Sequence, residues 1–359
     1  MNGYQRIEAA FAGRRPDRTP IMLHNFMPAA REMGVSMAEF RSDPKVIAEA
    51  FWRSVETYGF DGILVDVDTA VLAEAAGAQV AHPRDEPAVV VGPRLRTLEE
   101  IDTLEPVDVA AHRRAQISLE AVRLLVERSN GEIYIRGNCD QCPFSLAAML
   151  RGPQEFMMEL LDESQGARIE RLLGYCAEVT LGFLRLMAAT GCHMLSNGDS
   201  TAGPALVSPS LYRRFAVPWE KRVVAEAHRL GRPYLLHICG DTALILPDML
   251  ATGADGLEID YKTDARLAHD RMKDRAVFVG NLDPSGVLAH GTPELVESKT
   301  TGLLELFADT PRFVLNSGCA IPADAPPANL RALIRAARGF SGAGRRGDQG
   351  PYPRERRRG

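Results

Sequence analysis

A chain of 359 residues, 45% apolar and 25% charged, has ample material for a buried core and the balance of an ordinary globular protein. Its 42 Lys and Arg against 47 Asp and Glu leave a net charge of −5, which argues against a nucleic-acid binder. No apolar run approaches the ~18 residues of a membrane span, and the N-terminus lacks the long apolar stretch of a signal peptide. The expected compartment is therefore the cytoplasm, with the six cysteines as reduced thiols.

In chain order, residues 1–20 read as a short amphipathic helix and a basic turn. Eight runs of strand length follow, at 20–26, 61–68, 132–138, 191–197, 234–240, 254–260, 276–283 and 311–318. Most are rich in Ile, Val and Leu, as strands buried on both faces are. Helical patterns separate them. Ser42-Asp43-Pro44 sets a cap before a first-turn proline, and Ile47, Phe51, Val55 and Tyr58 follow at helical spacing. Longer helical patterns cover 111–129, 154–190 and 208–230, shorter ones 243–252, 292–308 and 326–338, and residues 78–91 read as an inserted hairpin. Residues 341–359 carry six Arg against Asp348 and Glu355, a surplus of four positive charges that leaves −9 on the remainder. This Gly-, Pro- and Arg-rich tail is expected to be disordered.

Eight β units alternating with helices predict an α/β fold, a single-domain (β/α)8 TIM barrel over residues 1–340 with a disordered basic C-terminal tail over 341–359. The 21-residue intervals from Cys239 to Asp260 and from Asp260 to Asn281 are tight for such units. A doubly wound open sheet is the alternative, but no Gly-rich phosphate turn follows the first strand.

Each predicted strand ends in a residue able to do chemistry. These are His24 with Asn25, Asp66 with Asp68, Asn138 with Asp140, and Asn197 with Asp199. His237 with Cys239, Glu258 with Asp260, Asn281 with Asp283, and Asn316 with Cys319 complete the set. Asn and Asp also end strands simply because they form turns, but His and Cys do not. In His237-Ile238-Cys239 the imidazole and thiol lie at i and i+2, on one side of a strand. Cys319 follows the last strand, across a barrel mouth of modest width. Two Cys and one His suit a catalytic Zn²⁺, which uses three protein ligands and keeps a fourth position open. A buried His with two core cysteines remains the alternative at this point. Cys139 and Cys142 are expected as unpaired thiols near the pocket, Cys176 and Cys192 as core residues, and His193 as structural.

The chain resembles the uroporphyrinogen decarboxylase superfamily over about residues 3–339, most strongly its zinc- and corrinoid-dependent methyltransferase branch. The matching stretches are H-I-C-G-D-T at 237–242, G-A-D-G-L-E-I-D at 253–260, G-N-L-D-P at 280–284 and N-S-G-C-A-I-P-A-D-A-P-P-A-N-L at 316–330. The H-x-C and S-G-C elements belong to the methyltransferase branch, whereas G-N-L-D-P is shared with the decarboxylases. The resemblance implies a (β/α)8 barrel with His237, Cys239 and Cys319 as zinc ligands. Glu258 is expected as a labile fourth ligand, with a neighbouring acceptor as its other reading. His24, Asp66, Asn138, Asp199 and Asn281 are candidates for the substrate or corrinoid pocket.

The implied activity is zinc-dependent methyl transfer between a small methylated substrate (methoxy-aromatic, methylamine or thiol type) and a corrinoid. No segment resembles a cobalamin-binding D-x-H-x-x-G module, so the cobalamin is expected on a partner corrinoid protein docking over the mouth. Two alternatives stand beside it. A metal-free decarboxylase acting on a porphyrinogen would use Asp66 or Asp68, but only Arg31 lies near the first strand, where that substrate calls for a cluster of arginines. A non-catalytic zinc- or corrinoid-binding barrel is the third reading.

Overall fold

The computed structural model describes residues 1–340; the expected tail, 341–359, lies outside them. Nine strands run in chain order as β1 Gly62–Val65, β2 Gln79–Ala81, β3 Val89–Gly92, β4 Tyr134–Gln141, β5 Met194–Gly198, β6 Tyr234–Ile238, β7 Gly256–Ile259, β8 Val277–Leu282 and β9 Phe313–Ser317. All except β2 and β3 form one parallel sheet in the order β1-β4-β5-β6-β7-β8-β9. That sequential order has no reversal point, which excludes the doubly wound alternative. β2 and β3 pair antiparallel as the expected hairpin.

The first expected strand needs correction. Residues 20–26 make a single bridge, Ile21 to Leu315, and a helix already begins at Phe26. Pro20 has no N–H to give to a ladder, and Pro28 suits the first turn of a helix. The segment still acts as the eighth stave. On one side Met22 N–H donates to Leu315 O (3.1 Å) and Leu315 N–H to Pro20 O (2.9 Å). On the other, Asp61 and Gly62 donate to Ile21 O at 2.9 and 3.3 Å. The sheet thereby closes on itself as a barrel.

The tight spacing between β6, β7 and β8 is met by short helices, Leu246–Leu250 and Ala265–Met272. Longer patterns divide: 154–190 becomes Pro153–Glu159 and Gly166–Ala188, and 208–230 becomes Pro209–Phe215 and Val217–Arg229. Among the described residues no helix is long and apolar enough to cross a membrane.

Alternation along the strands sorts the interior into levels. Met22, Tyr134, Met194, Leu235, Val277 and Val314 form an apolar floor, sealed from below by Ile7 and Ala10 of the helix Gly3–Phe11. A capping box between Asn2 and Gln5 starts that helix. Burying one side chain the size of Ile7 stabilises the fold by about 1.5–3 kcal/mol. Two residues further along the strands the interior turns polar. Arg136 of β4 meets Glu258 of β7 at 2.6 Å, and both are almost wholly buried. Arg136 Nε donates to Ser196 Oγ (2.8 Å), and Asn316 Nδ2 donates to Glu258 Oε1 (3.1 Å). A buried ion pair of this kind contributes little over packed apolar side chains, so this layer serves the mouth above it more than stability.

Candidate metal centre

β6 is buried throughout, and its alternation turns Leu236 and Ile238 toward the helices and His237 toward the interior. Cys239 follows just past the strand end. Cys319 follows Gly318, where β9 has ended. The three donor atoms of His237, Cys239 and Cys319 lie within 4.8 Å of one another. The sulfurs are 3.9 Å apart, close to the ~3.8 Å that two thiolates 2.3 Å from one tetrahedral zinc would show. His237 Nε2 lies 3.0 Å from Cys239 Sγ, while its Nδ1 donates to the Glu258 carbonyl at 3.0 Å. A backbone carbonyl on the far nitrogen is the usual orienting partner of a metal-binding imidazole, and it leaves Nε2 for the centre.

The charges fit a cation. The hydrogen bond from Cys319, with help from His237 and Ser200, lowers the Cys239 thiol to about 3 despite its burial. Burial pulls His237 down, but the Cys239 thiolate outweighs it and lifts the ring to about 10. Cys319, donating to Cys239 and buried, is pushed up. Protons thus hold together a group of two sulfurs and one nitrogen, and a divalent ion binds such a set by displacing them. The donor set suits zinc, and the residues present fit it.

Glu258 is placed differently from a fourth ligand. Its carboxylate lies outside the donor group and is engaged by Arg136 and Asn316. Of these two the Arg136 guanidinium is the nearer, at 2.6 Å, and the Glu258 carbonyl holds the His237 ring. Burial would raise its pKa, but Arg136, His237 and His24 lower it.

His24, Asp66 and Asn138 do come together at the mouth. His24 Nε2 is 2.7 Å from Asp66 Oδ2, and Asn138 Nδ2 donates to Asp66 Oδ1 at 2.8 Å. Asp199 and Asn281 require correction. Asp199 is fully buried, accepts the Ser145 N–H (2.7 Å), and gives its own N–H to the His237 carbonyl (2.8 Å), bracing β6 from outside the pocket. Burial lifts its carboxyl to about 6. Asn281 Nδ2 donates to the carbonyls of Thr263 (3.0 Å) and Asp260 (3.3 Å), clamping the turn after β7. Cys139 and Cys142 are fully buried in the core between sheet and helices, so neither opens to the pocket. Burial pushes both thiols up. Cys176 and Cys192 are core residues, and His193 Nδ1 accepts the Ile135 N–H (2.8 Å) at the opposite end of the barrel.

Two contributors escape a strand-end inspection. Arg136 sits two residues before Asn138, and a charge at an inward position of a buried parallel strand is the signal that marks it. Ser200 Oγ lies 3.1 Å from Cys239 Sγ, and nothing in its loop sequence distinguishes it from a turn serine.

The fold and these residues define a (β/α)8 barrel with a sulfur–imidazole centre at its C-terminal mouth, where barrel active sites lie. The uroporphyrinogen decarboxylase (URO-D) family matches residues 3–340, and the chain belongs to it. A methylcobamide:CoM methyltransferase, MtbA of Methanosarcina mazei, is 28% identical over 341 residues, covering 94% of this chain and 97% of that protein. A uroporphyrinogen decarboxylase of Syntrophotalea carbinolica is 26% identical over 341 residues, covering 92% and 96%. A solved methyltransferase from Methanosarcina mazei superposes with a TM-score of 0.86 at 23% identity, over 95% of this chain and 99% of that one, which supports the same fold.

Proposed function

We propose that this protein is a zinc-dependent methyltransferase that moves a methyl group between a small substrate and the cobalamin of a partner corrinoid protein. The observation that carries the proposal is the convergence of His237, Cys239 and Cys319 on one point. The similarity to a methylcobamide:CoM methyltransferase over nearly the full length of both chains supports it. A metal-free decarboxylase gives no reason for two thiols and an oriented imidazole to meet.

Bound there, zinc would act as a Lewis acid, lowering the pKa of a substrate thiol or polarising a methoxy or methylamine group. The chain's own residues do the rest. His237, Cys239 and Cys319 would hold the ion, and the Glu258 carbonyl fixes the imidazole tautomer. Arg136 and Asn316 engage the Glu258 side chain, which would leave a coordination position of the ion free for substrate. Ser200 holds the Cys239 sulfur in place. A reducing compartment such as the cytoplasm keeps both cysteines available as ligands. The corrinoid would arrive on its partner over the open end of the barrel.

The test uses zinc-loaded protein with methylcobalamin and a thiol, and with free cob(I)alamin and methoxyarene, methylamine or methylthiol donors. The cobalamin absorption bands report transfer. Turnover in one of these reactions that disappears in Cys239→Ala supports the proposal. No turnover with any of them contradicts it and favours a non-catalytic role.

A further inference from the structure

The loop after β5, Asp199–Gly203, reads D-S-T-A-G and meets the H-x-C element at three points. Asp199 N–H donates to the His237 carbonyl at 2.8 Å. Ser200 Oγ lies 3.1 Å from Cys239 Sγ. Gly203 packs so closely on the Cys239 backbone that a Cβ there would stand 2.9 Å from its carbonyl oxygen. The loop is itself tied down on both sides of Ser200. Asp199 Oδ1 accepts the Ser145 N–H (2.7 Å). Ser145 Oγ accepts the Thr201 N–H (3.1 Å) and pairs with Thr201 Oγ1 (2.9 Å). Ser145 belongs to the first turn of the helix Pro143–Arg151, which follows β4. The Ser200 hydroxyl is thus presented to the sulfur from a braced loop, and among the described residues it has no other hydrogen-bond partner.

Three side chains surround the Cys239 sulfur: His237 through Nε2, Cys319 through Sγ and Ser200 through Oγ. A metal at the centre takes the first two as ligands, and neither then has a proton to give. A bound thiolate only accepts, so Ser200 is left as its side-chain donor, in a hydrogen bond strengthened by the charge on sulfur. The other sulfur is placed differently. Among the described residues no side chain except Cys239 hydrogen-bonds to Cys319 Sγ. We infer that Ser200 is a positioning residue that tunes the metal centre by donating a hydrogen bond to the Cys239 thiolate. This rests on the zinc-dependent methyl-transfer reading above. The hydrogen bond draws electron density from the Cys239 sulfur, which then gives less charge to the ion than the Cys319 sulfur does. Lewis acidity is thereby kept for the substrate heteroatom at the open position.

The test loads the full-length protein with Co²⁺, which takes the same sulfur and imidazole donors and reports on them by absorption. The wild type is expected to show a sulfur-to-cobalt charge-transfer band in the near ultraviolet. In Ser200→Ala that band should move to longer wavelength, because a thiolate without its hydrogen bond gives up charge more easily. The visible d–d bands, which report ligand number and geometry, should stay as they are. Ser200→Thr keeps a hydroxyl and should restore the wild-type charge-transfer band. 2-Mercaptoethanol, titrated against the same bands, should bind Ser200→Ala about 2–10-fold more weakly, the worth of one hydrogen bond. Ser200→Gly removes the same hydroxyl and decides the matter should Ser200→Ala not fold. An unmoved charge-transfer band, or an unchanged thiol affinity, overturns the inference alone. Loss of the d–d bands together with the charge-transfer band would show Ser200 to be a prop for the ligand, and overturns it as well. A wild type with no sulfur-to-cobalt band, or with no open position for the thiol, overturns the metal centre and the inference with it.

Discussion

Cys239 and Cys319, 80 residues apart in the chain, bring their sulfurs to 3.9 Å. The approach depends on how closely the end of β9 packs against the turn after β7. A Cβ on Gly318 would stand 3.0 Å from the Asp260 carbonyl carbon and closer still to the Tyr261 backbone nitrogen, so it would collide with the turn after β7. That is a physical reason for glycine in the S-G-C element.

Gly318→Ala should therefore displace Cys319 without removing any ligand. The expected result is zinc affinity lowered by about 10–100-fold, the range seen when support around a ligand is lost. Competition with a chromogenic chelator measures it. Unchanged affinity would show that Cys319 is not needed at the centre.

Glu258→Gln separates the two roles considered for this residue. It keeps the carbonyl that holds His237 but leaves Arg136 buried without its counter-charge. Breaking a buried pair from one side costs about 3–5 kcal/mol. The variant should lose stability in denaturant titration while still binding one zinc per chain. Zinc loss at unchanged stability would make Glu258 a ligand.

Asp140 gives a pH signature remote from the centre. Burial pushes its carboxyl up to about 7, one oxygen accepts the Leu72 N–H at 2.6 Å, and the other is buried without a partner. Because the folded value lies above the unfolded one of 3.8, its stabilising contribution is complete below about pH 4 and is lost as pH rises through about 7. Asn accepts the same N–H and tolerates the positive φ of 61°. Asp140→Asn should raise stability by about 1–3 kcal/mol at pH 8 and hardly at all at pH 4. Thermal melts at the two pH values test this. An equal shift at both would remove the titration argument.

The barrel was legible because eight β-rich runs with helices between them admit few arrangements, and the His237–Cys239 pair because two-residue periodicity is strict in strands. What the sequence left ambiguous has physical causes. Asp199 and Asn281 share their residue types with Asp66 and Asn138, and only packing decides which carboxylate or amide faces the mouth and which clamps a turn. Glu258 finds its partner in Arg136 on a strand far away in the chain, and no local pattern encodes such a pairing. Alternation along β4 turns Cys139 toward the helices once Asn138 faces inward. The first stave is defined by hydrogen bonds to both neighbours and not by its own dihedral regularity, since Pro20 and Pro28 bracket it.

A metal bound by His237, Cys239 and Cys319 is what the proposed methyl transfer requires most, and zinc-edge X-ray absorption of the purified protein tests for it directly. It should show one zinc per chain with two sulfur neighbours at about 2.3 Å and nitrogen or oxygen neighbours at about 2.0–2.1 Å, and Cys319→Ser should reduce the sulfur count to one. Folded protein that takes up no zinc, or a zinc site without sulfur, would contradict it.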